Sequence, residues 1–255
     1  MTAVAIYAKF AGLYATGPYT RYSQRIAGLL PAVLDRLGAH PATLLDIACG
    51  EGTFAVAMAK AGLAVTTIDL SEDMLARARR RAADDGVSVD FIRADMRSFV
   101  LGQQFDLITC WYDSLNYLTS GEDLASAFAA ARRALAPGGI FIFDMNTPAG
   151  LASIARSRPV EIIQNRPDAF ETHVNSFDAG ENIATKRIGG LIRLGGVWTE
   201  VAEVHRERAY GLNDVRALLA SAGLEEVACW GSIGDMTGPL PDAGRVWFVA
   251  KPQAI

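Results

Sequence analysis

Cysteine is scarce, with only Cys49, Cys110 and Cys229 among 255 residues. They show neither paired nor metal-ligand spacing, so neither a disulfide framework nor a zinc site is indicated, and their apolar neighbours favour buried thiols. An excess of positive charge is also lacking: 24 Lys plus Arg face 28 Asp plus Glu, for a net charge of −4. That argues against a protein that grips nucleic acid through a broad basic face, because phosphate neutralisation supplies most non-specific affinity. No apolar run reaches the roughly eighteen residues that a spanning helix needs. Met1 to Leu13 lacks the charged start, long apolar run and small-residue cleavage site of a secretory signal. We therefore expect a cytoplasmic protein that engages neither membrane nor nucleic acid. Disorder is excluded by composition: 51% of residues are hydrophobic, with 24 Gly and 10 Pro, enough to build one sizeable domain or a domain with an elaborated cap.

Organisation along the chain is an alternation of strands and helices. Leu44 to Cys49 is an apolar run that meets Gly50 and Gly52, the pattern of a buried parallel strand entering a tight turn. Phe54 to Ala61 reads as a helix ended by Gly62. Ala64 to Ile68 reads as a second strand, and Ser71 caps a helix from Glu72 to about Asp85. Val89 to Ile92 and Phe105 to Cys110 read as strands, Glu122 to Leu135 as a helix, Pro137-Gly138-Gly139 as a turn and Ile140 to Asp144 as a fifth strand. This order implies a doubly wound, mostly parallel α/β sheet of Rossmann-like type. After Pro148 the pattern changes. Val160 to Arg208 is polar on alternate positions and punctuated by glycines, which suggests antiparallel hairpins. A helix from Asn213 or Asp214 to Ala222, then strands at Glu226 to Ser232 and Arg245 to Lys251, complete a seven-stranded sheet. The expected division is an N-terminal helical cap (1–40), a core (41–147 and 211–255) and an inserted antiparallel β cap over the acceptor (148–210).

The turn from Asp46 to Gly52 lies where open α/β sheets bind ligands, beyond the carboxyl end of the first strand. Its glycines admit a ligand close to the backbone. Asp69, nineteen residues past Gly50 at the tip of the second strand, is placed to accept hydrogen bonds from both hydroxyls of a ribose. A dinucleotide site would want a third small position and free helix amides for a pyrophosphate. Bulky Phe54 and acidic Glu51 oppose one, which favours a phosphate-free nucleoside cofactor, S-adenosylmethionine, over NAD.

Leu44-Leu45-Asp46-Ile47-Ala48-Cys49-Gly50-Glu51-Gly52-Thr53 resembles the first motif of the class I S-adenosylmethionine-dependent methyltransferases. Four further stretches agree in order and spacing: Ile68 to Leu75, Ala94-Asp95-Met96-Arg97, Phe105 to Ile108 and Leu135-Ala136-Pro137-Gly138-Gly139. The resemblance covers roughly residues 40 to 146, and the wider layout is similar to that of the small-molecule methyltransferases. It implies that Asp69 binds the ribose, with Leu70 and Met74 near the adenine. Asp95 then accepts from the adenine amine, and the Met96 amide donates to a ring nitrogen. Asp46 heads the turn and belongs to the same cofactor-binding set, while the backbone around Ala48 and Gly50, with Trp111, meets the methionine part. Asp95 also reads as a helix cap. In similar enzymes the N-terminal segment folds over the cofactor, so Tyr14, Arg21 or Tyr22 binds the methionine carboxylate; the same tyrosines equally suit the apolar face of a docking helix.

Methyl transfer from a sulfonium is an in-line displacement that needs alignment and exclusion of water, and no metal. An oxygen acceptor gains from a nearby general base. The candidates are Asp113, on the loop after the fourth strand, and His205, with His173 and Glu203 behind them. Strand alternation puts Glu203, His205 and Glu207 on one face, which reads either as a proton-accepting cluster or as a solvated charge ladder. Asp113 also reads as a turn residue. No Asn or Asp is followed by Pro-Pro-Tyr after the fourth strand, and no Pro-Cys dipeptide offers a nucleophile for pyrimidine methylation. The basic run Arg77 to Arg81 reads as a solvated helix face. The expectation is therefore methyl transfer to a nitrogen or oxygen of a small-molecule acceptor, with a homodimer left open. An NAD-dependent oxidoreductase and a non-catalytic S-adenosylmethionine-binding protein are the alternatives.

Overall fold

The computed structural model describes Tyr7 and residues 9–253. Its centre is a sheet of seven strands: β1 (Thr43–Ile47), β2 (Ala64–Asp69), β3 (Asp90–Arg93), β4 (Phe105–Cys110), β5 (Leu135–Asn146), β10 (Leu224–Trp230) and β11 (Arg245–Pro252), in the order β10-β11-β5-β4-β1-β2-β3. Five of them pair in parallel, and β11 runs antiparallel to both β5 and β10. The chain leaves β1 toward β2 and β3, then returns to place β4 on the other side of β1. That reversal opens a crevice at the carboxyl ends of β1 and β4.

Helices cover both faces because their apolar stripes demand it. Helices α2 (Thr20–Leu37) and α3 (Thr53–Lys60) pack on one side through Ile26, Leu30, Phe54 and Met58, which join Leu44, Leu107 and Ile142 of the sheet. Helices α5 (Gly121–Ala134) and α7 (Leu212–Ser221) cover the other, where Phe128, Leu124 and Leu219 meet Phe141, Phe143 and Phe248. Helix α4 (Glu72–Asp84) begins as expected at Ser71, whose hydroxyl accepts the Met74 N–H. Helix α7 begins at Leu212 rather than Asn213, with the Asp214 carboxylate reaching back to the Gly211 N–H.

Between β5 and α7 lie helix α6 (Pro148–Ser157) and a separate antiparallel sheet of β6 (Val160–Arg166), β7 (Ala169–Asp178), β8 (Ile183–Leu194) and β9 (Val197–Arg208). Helix α6 was not anticipated. Thr147 caps it and Pro148 stands at its start, a position proline favours because its missing N–H would be unpaired there anyway. Short helix α1 (Ala11–Thr16) and its flanks pack through Phe10 and Leu13 on Ala169, Ile188, Ile192 and Val201 of this cap sheet. The N-terminal segment thus forms a strap between cap and core. No helix among the described residues is long and apolar enough to cross a membrane.

Candidate active site

Two strand tips carry strained backbone. Ala48 after β1 and Tyr112 and Asp113 after β4 all have left-handed φ, at 57°, 60° and 54°. Such conformations cost non-glycine residues of order 1–3 kcal/mol and persist where surroundings enforce them. Here Asp144, at the end of β5, accepts the N–H groups of both Tyr112 and Asp113, at 2.6 and 3.1 Å. The two glycines of the turn have different reasons. A Cβ on Gly52 would lie 2.8 Å from the Ala78 Cβ, whereas one on Gly50 would meet nothing within 4 Å. Gly52 serves helix packing and Gly50 leaves room.

That room is a cavity of about 400 Å³ bounded by Asp46, Ala48, Gly50, Asp69, Leu70, Met74, Asp95, Met96, Trp111 and Tyr14. Ten of the eleven residues expected to bind the cofactor therefore converge on one wall. Tyr22 is the exception: its ring stacks on Tyr112 at 4.6 Å and beneath the Arg245 guanidinium, outside this lining. The Asp69 carboxylate accepts the Gly50 N–H on one oxygen and the Ser71 N–H on the other, each at 2.8 Å. Burial raises its pKa, opposed by those backbone N–H groups. Asp46 is more deeply placed. Its carboxyl accepts the Thr109 hydroxyl at 2.8 Å, and burial pushes it up to about 7. Asp95 stands in the cavity wall and accepts the Arg97 N–H at 2.9 Å at the head of a turn, not of a helix, with Arg97 holding its carboxyl below the usual range. Trp111 carries an indole N–H with no hydrogen-bond partner among the described residues.

The charge of this wall tests its ligand. Asp46, Asp69, Asp95 and Asp123 face a single basic residue, Arg97, which is itself paired to Asp95 and Asp123. A pyrophosphate would be repelled; a sulfonium cation with a vicinal diol fits. Glu51 does not line the cavity, because Arg81 draws its carboxylate away at 3.0 Å. That pair also corrects the expectation of a wholly solvated Arg77 to Arg81 run. Cys49 and Cys229 are only partly buried, and Cys110 alone of the cysteines is fully buried.

A second cavity of about 610 Å³ opens under the cap, walled by Phe10, Tyr19, Asp113, Ile154, His173, Lys186, His205 and Arg245. It shares Tyr7, Tyr14, Tyr112 and Tyr117 with the first. Asp113 therefore lines this second cavity, with one donor on each of its carboxylate oxygens: Arg245 at 2.8 Å and Asn146 at 3.0 Å. Arg245 also pairs with Asp144. This fork between two acids escaped sequence reading, since its members are assembled only by the register of β4, β5 and β11.

Glu203, His205 and Glu207 do share a face, and it points inward. At 5%, 1% and 3% exposure they are no solvated ladder. Glu207 is pushed up to about 7 by burial and by neighbouring Asp113. The His205 Nε2 lies 3.0 Å from Glu203, and its Nδ1 lies 2.9 Å from the Tyr117 hydroxyl, which is 2.9 Å from that of Tyr7. His173 on β7 also meets a glutamate, with Nε2 at 2.7 Å from Glu171, but there the Tyr19 hydroxyl lies 3.2 Å from that same nitrogen and donates to Glu171.

A cleft at the switch point of a doubly wound sheet, lined by carboxylates and flanked by an aromatic strap, is the setting of a protein that binds a phosphate-free nucleoside cofactor. Residues 44–139 match the family model described as a methyltransferase domain. The chain is 31% identical to the ubiquinone biosynthesis O-methyltransferase of Hydrogenovibrio crunogenus over 70% of its length and 74% of that protein. It is 36% identical to the dTDP-3-amino-3,4,6-trideoxy-alpha-D-glucopyranose N,N-dimethyltransferase of Streptomyces venezuelae over 40% of this chain and 41% of that one. An S-adenosylmethionine-dependent methyltransferase from Clostridium acetobutylicum shares the fold, with a TM-score of 0.81, 24% identity and coverage of 97% and 99% of the two chains. The chain belongs to the class I S-adenosylmethionine-dependent methyltransferases, and S-adenosylmethionine is its cofactor.

Proposed function

We propose that the protein transfers a methyl group to a nitrogen or oxygen of a small molecule held in the cavity under the cap. The observation that carries this reading is the joining of the two cavities at Tyr7, Tyr14, Tyr112 and Tyr117. S-adenosylmethionine, when bound, supplies an activated methyl on a sulfonium. The chain's own task is to hold the donor, aim the acceptor and keep water out. Asp69 takes the ribose hydroxyls, Asp95 and Met96 the adenine edge, Leu70 and Met74 its faces, and the backbone at Ala48 and Gly50 with Trp111 the methionine part. The aromatic ring of shared tyrosines separates the donor from bulk water and offers flat surfaces to an acceptor. Relatives named for an oxygen acceptor and for an amino sugar support a small-molecule substrate of either kind. Titration calorimetry with S-adenosylhomocysteine tests the donor half: binding is expected, and its absence refutes the reading. Transfer of labelled methyl to a metabolite library tests the acceptor half; a protein or nucleic-acid acceptor in place of a small molecule would overturn it.

A further inference from the structure

We propose that Glu203, His205 and Tyr117 form a proton relay, opening into the acceptor cavity through Tyr117 and Tyr7, and that the acceptor it serves is a hydroxyl group. The inference rests on the two-cavity reading above and adds to it the nucleophile.

The order of protons follows from Glu203. Its oxygens receive the backbone N–H groups of Tyr7, Lys9 and Phe10 at 2.8, 2.9 and 2.8 Å. Burial alone would raise its pKa, but the donors from His205, Phe10 and Tyr7 outweigh burial and hold it below the usual value. Glu203 is therefore an ionised carboxylate that only accepts. The His205 Nε2 facing it must carry the proton. Burial disfavours the imidazolium and keeps the His205 pKa low, although Glu203 opposes this. In the resulting neutral imidazole Nδ1 is bare, so the Tyr117 hydroxyl donates to it. The Tyr117 oxygen then accepts from Tyr7, and both tyrosines line the two cavities where they meet.

A neutral amine attacks with its own lone pair and can lose its proton afterwards. A hydroxyl becomes a competent nucleophile only as its proton leaves. As the acceptor oxygen bonds to the methyl carbon, the carbon–sulfur bond breaks and its electron pair stays on sulfur. The hydroxyl proton passes to the Tyr117 oxygen as the Tyr117 proton passes to Nδ1. His205 becomes an imidazolium paired with the Glu203 carboxylate, and the proton returns to solvent after product leaves. The other groups that bear on His205 are Lys186 from β8 and His173 from β7, both opposing its protonation, and Tyr7 from the strap. Anchoring the strap does not require the histidine, because Glu203 already binds three strap amides.

Nitrogen-15 spectra of the full-length protein, with and without S-adenosylhomocysteine, read the relay without turnover. His205 is expected neutral at pH 7, with its proton on Nε2. A charged ring, or the proton on Nδ1, overturns the proposal. Labelled methyl transfer is then measured against phenols, catechols and sugar alcohols, with primary amines in parallel. The hydroxyl probes are expected to be methylated. H205Q and Y117F should lower kcat about a hundredfold or more, while H205Q binds S-adenosylhomocysteine within twofold of the parent. The rise of kcat/KM with pH through the His205 titration should vanish in H205Q. Hydroxyl probes left unmethylated, amines accepted alone, or variants within fivefold of the parent sink the relay. Failure of S-adenosylhomocysteine to bind the parent protein instead sinks the cofactor reading, and the imidazole spectrum then judges the relay by itself.

Discussion

Replacing Asp69 by alanine should weaken cofactor binding by an amount the geometry sets. An ionised carboxylate offers about four lone-pair sites. The Gly50 and Ser71 amides occupy one on each oxygen, leaving one on each for the two ribose hydroxyls. Hydrogen bonds to a charged group contribute about 1.5 kcal/mol or more each. Removing two, with water partly replacing the carboxylate, should cost about 2 to 3 kcal/mol, or roughly 30- to 160-fold in Kd. Asp69→Asn tests the same point more gently. Its amide nitrogen must face either the Gly50 or the Ser71 N–H, donor against donor, so a comparable loss is expected with little change in volume. Calorimetric titration with S-adenosylhomocysteine reads the effect, and thermal denaturation of each variant confirms that it is folded. A folded Asp69→Ala protein that binds within threefold of the parent would refute this placement of the ribose.

Arg245→Met should destabilise the protein by about 3–5 kcal/mol in urea denaturation, because it leaves Asp113 and Asp144 buried without their shared cation; a loss under 1 kcal/mol would contradict the fork. Buried groups pull the pH dependence of stability in opposite directions: Asp46 and Glu207, both pushed up to about 7, bind more protons in the fold, so their contribution falls as pH rises from about 4 to about 7. Glu203, Glu171 and His205 have lowered pKa values in the fold, so at these three groups the unfolded chain binds more protons and their contribution rises with pH. The His205 contribution is lost as pH falls below about 6.5, and the Glu171 and Glu203 contributions as it falls below about 4.3. H205Q should remove the His205 contribution alone, so the stability it costs should shrink as pH falls below about 6.5, as read by denaturant melts of parent and variant across pH. Two glycine substitutions should act in opposite directions in thermal melts. A Cβ on Gly150 would run into the Gly244 carbonyl oxygen, so Gly150→Ala should cost about 1–3 kcal/mol or more. Exposed Gly28 in α2 has open space, so Gly28→Ala should stabilise by about 0.5–1 kcal/mol.

What could be read from the sequence was local in origin. Strand β1, its glycine turn, Asp69 and the Ser71 cap each depend on residues a few positions apart, and each lies where its pattern placed it. Helix α6 was hidden because its ten residues follow a change of pattern, and only Thr147 and Pro148 mark its start. Alternation put Glu203, His205 and Glu207 on one face but could not say what covers it. Burial by the strap decides that, through Glu203 contacts to residues nearly two hundred positions away. The same holds for Arg245 and Asp113, separated by 132 positions. Tyr22 was grouped with Tyr14 as a cofactor contact because both lie on one aromatic segment. Helix α2 instead turns its ring onto Tyr112.

A crystal structure of the protein with S-adenosylhomocysteine is the most direct measurement of the arrangement described. The ribose hydroxyls should lie on Asp69, and the sulfur should point toward Tyr7, Tyr112 and Tyr117, into the cavity beneath the cap. A nucleoside bound elsewhere, or a sulfur turned away from that aromatic boundary, would contradict it.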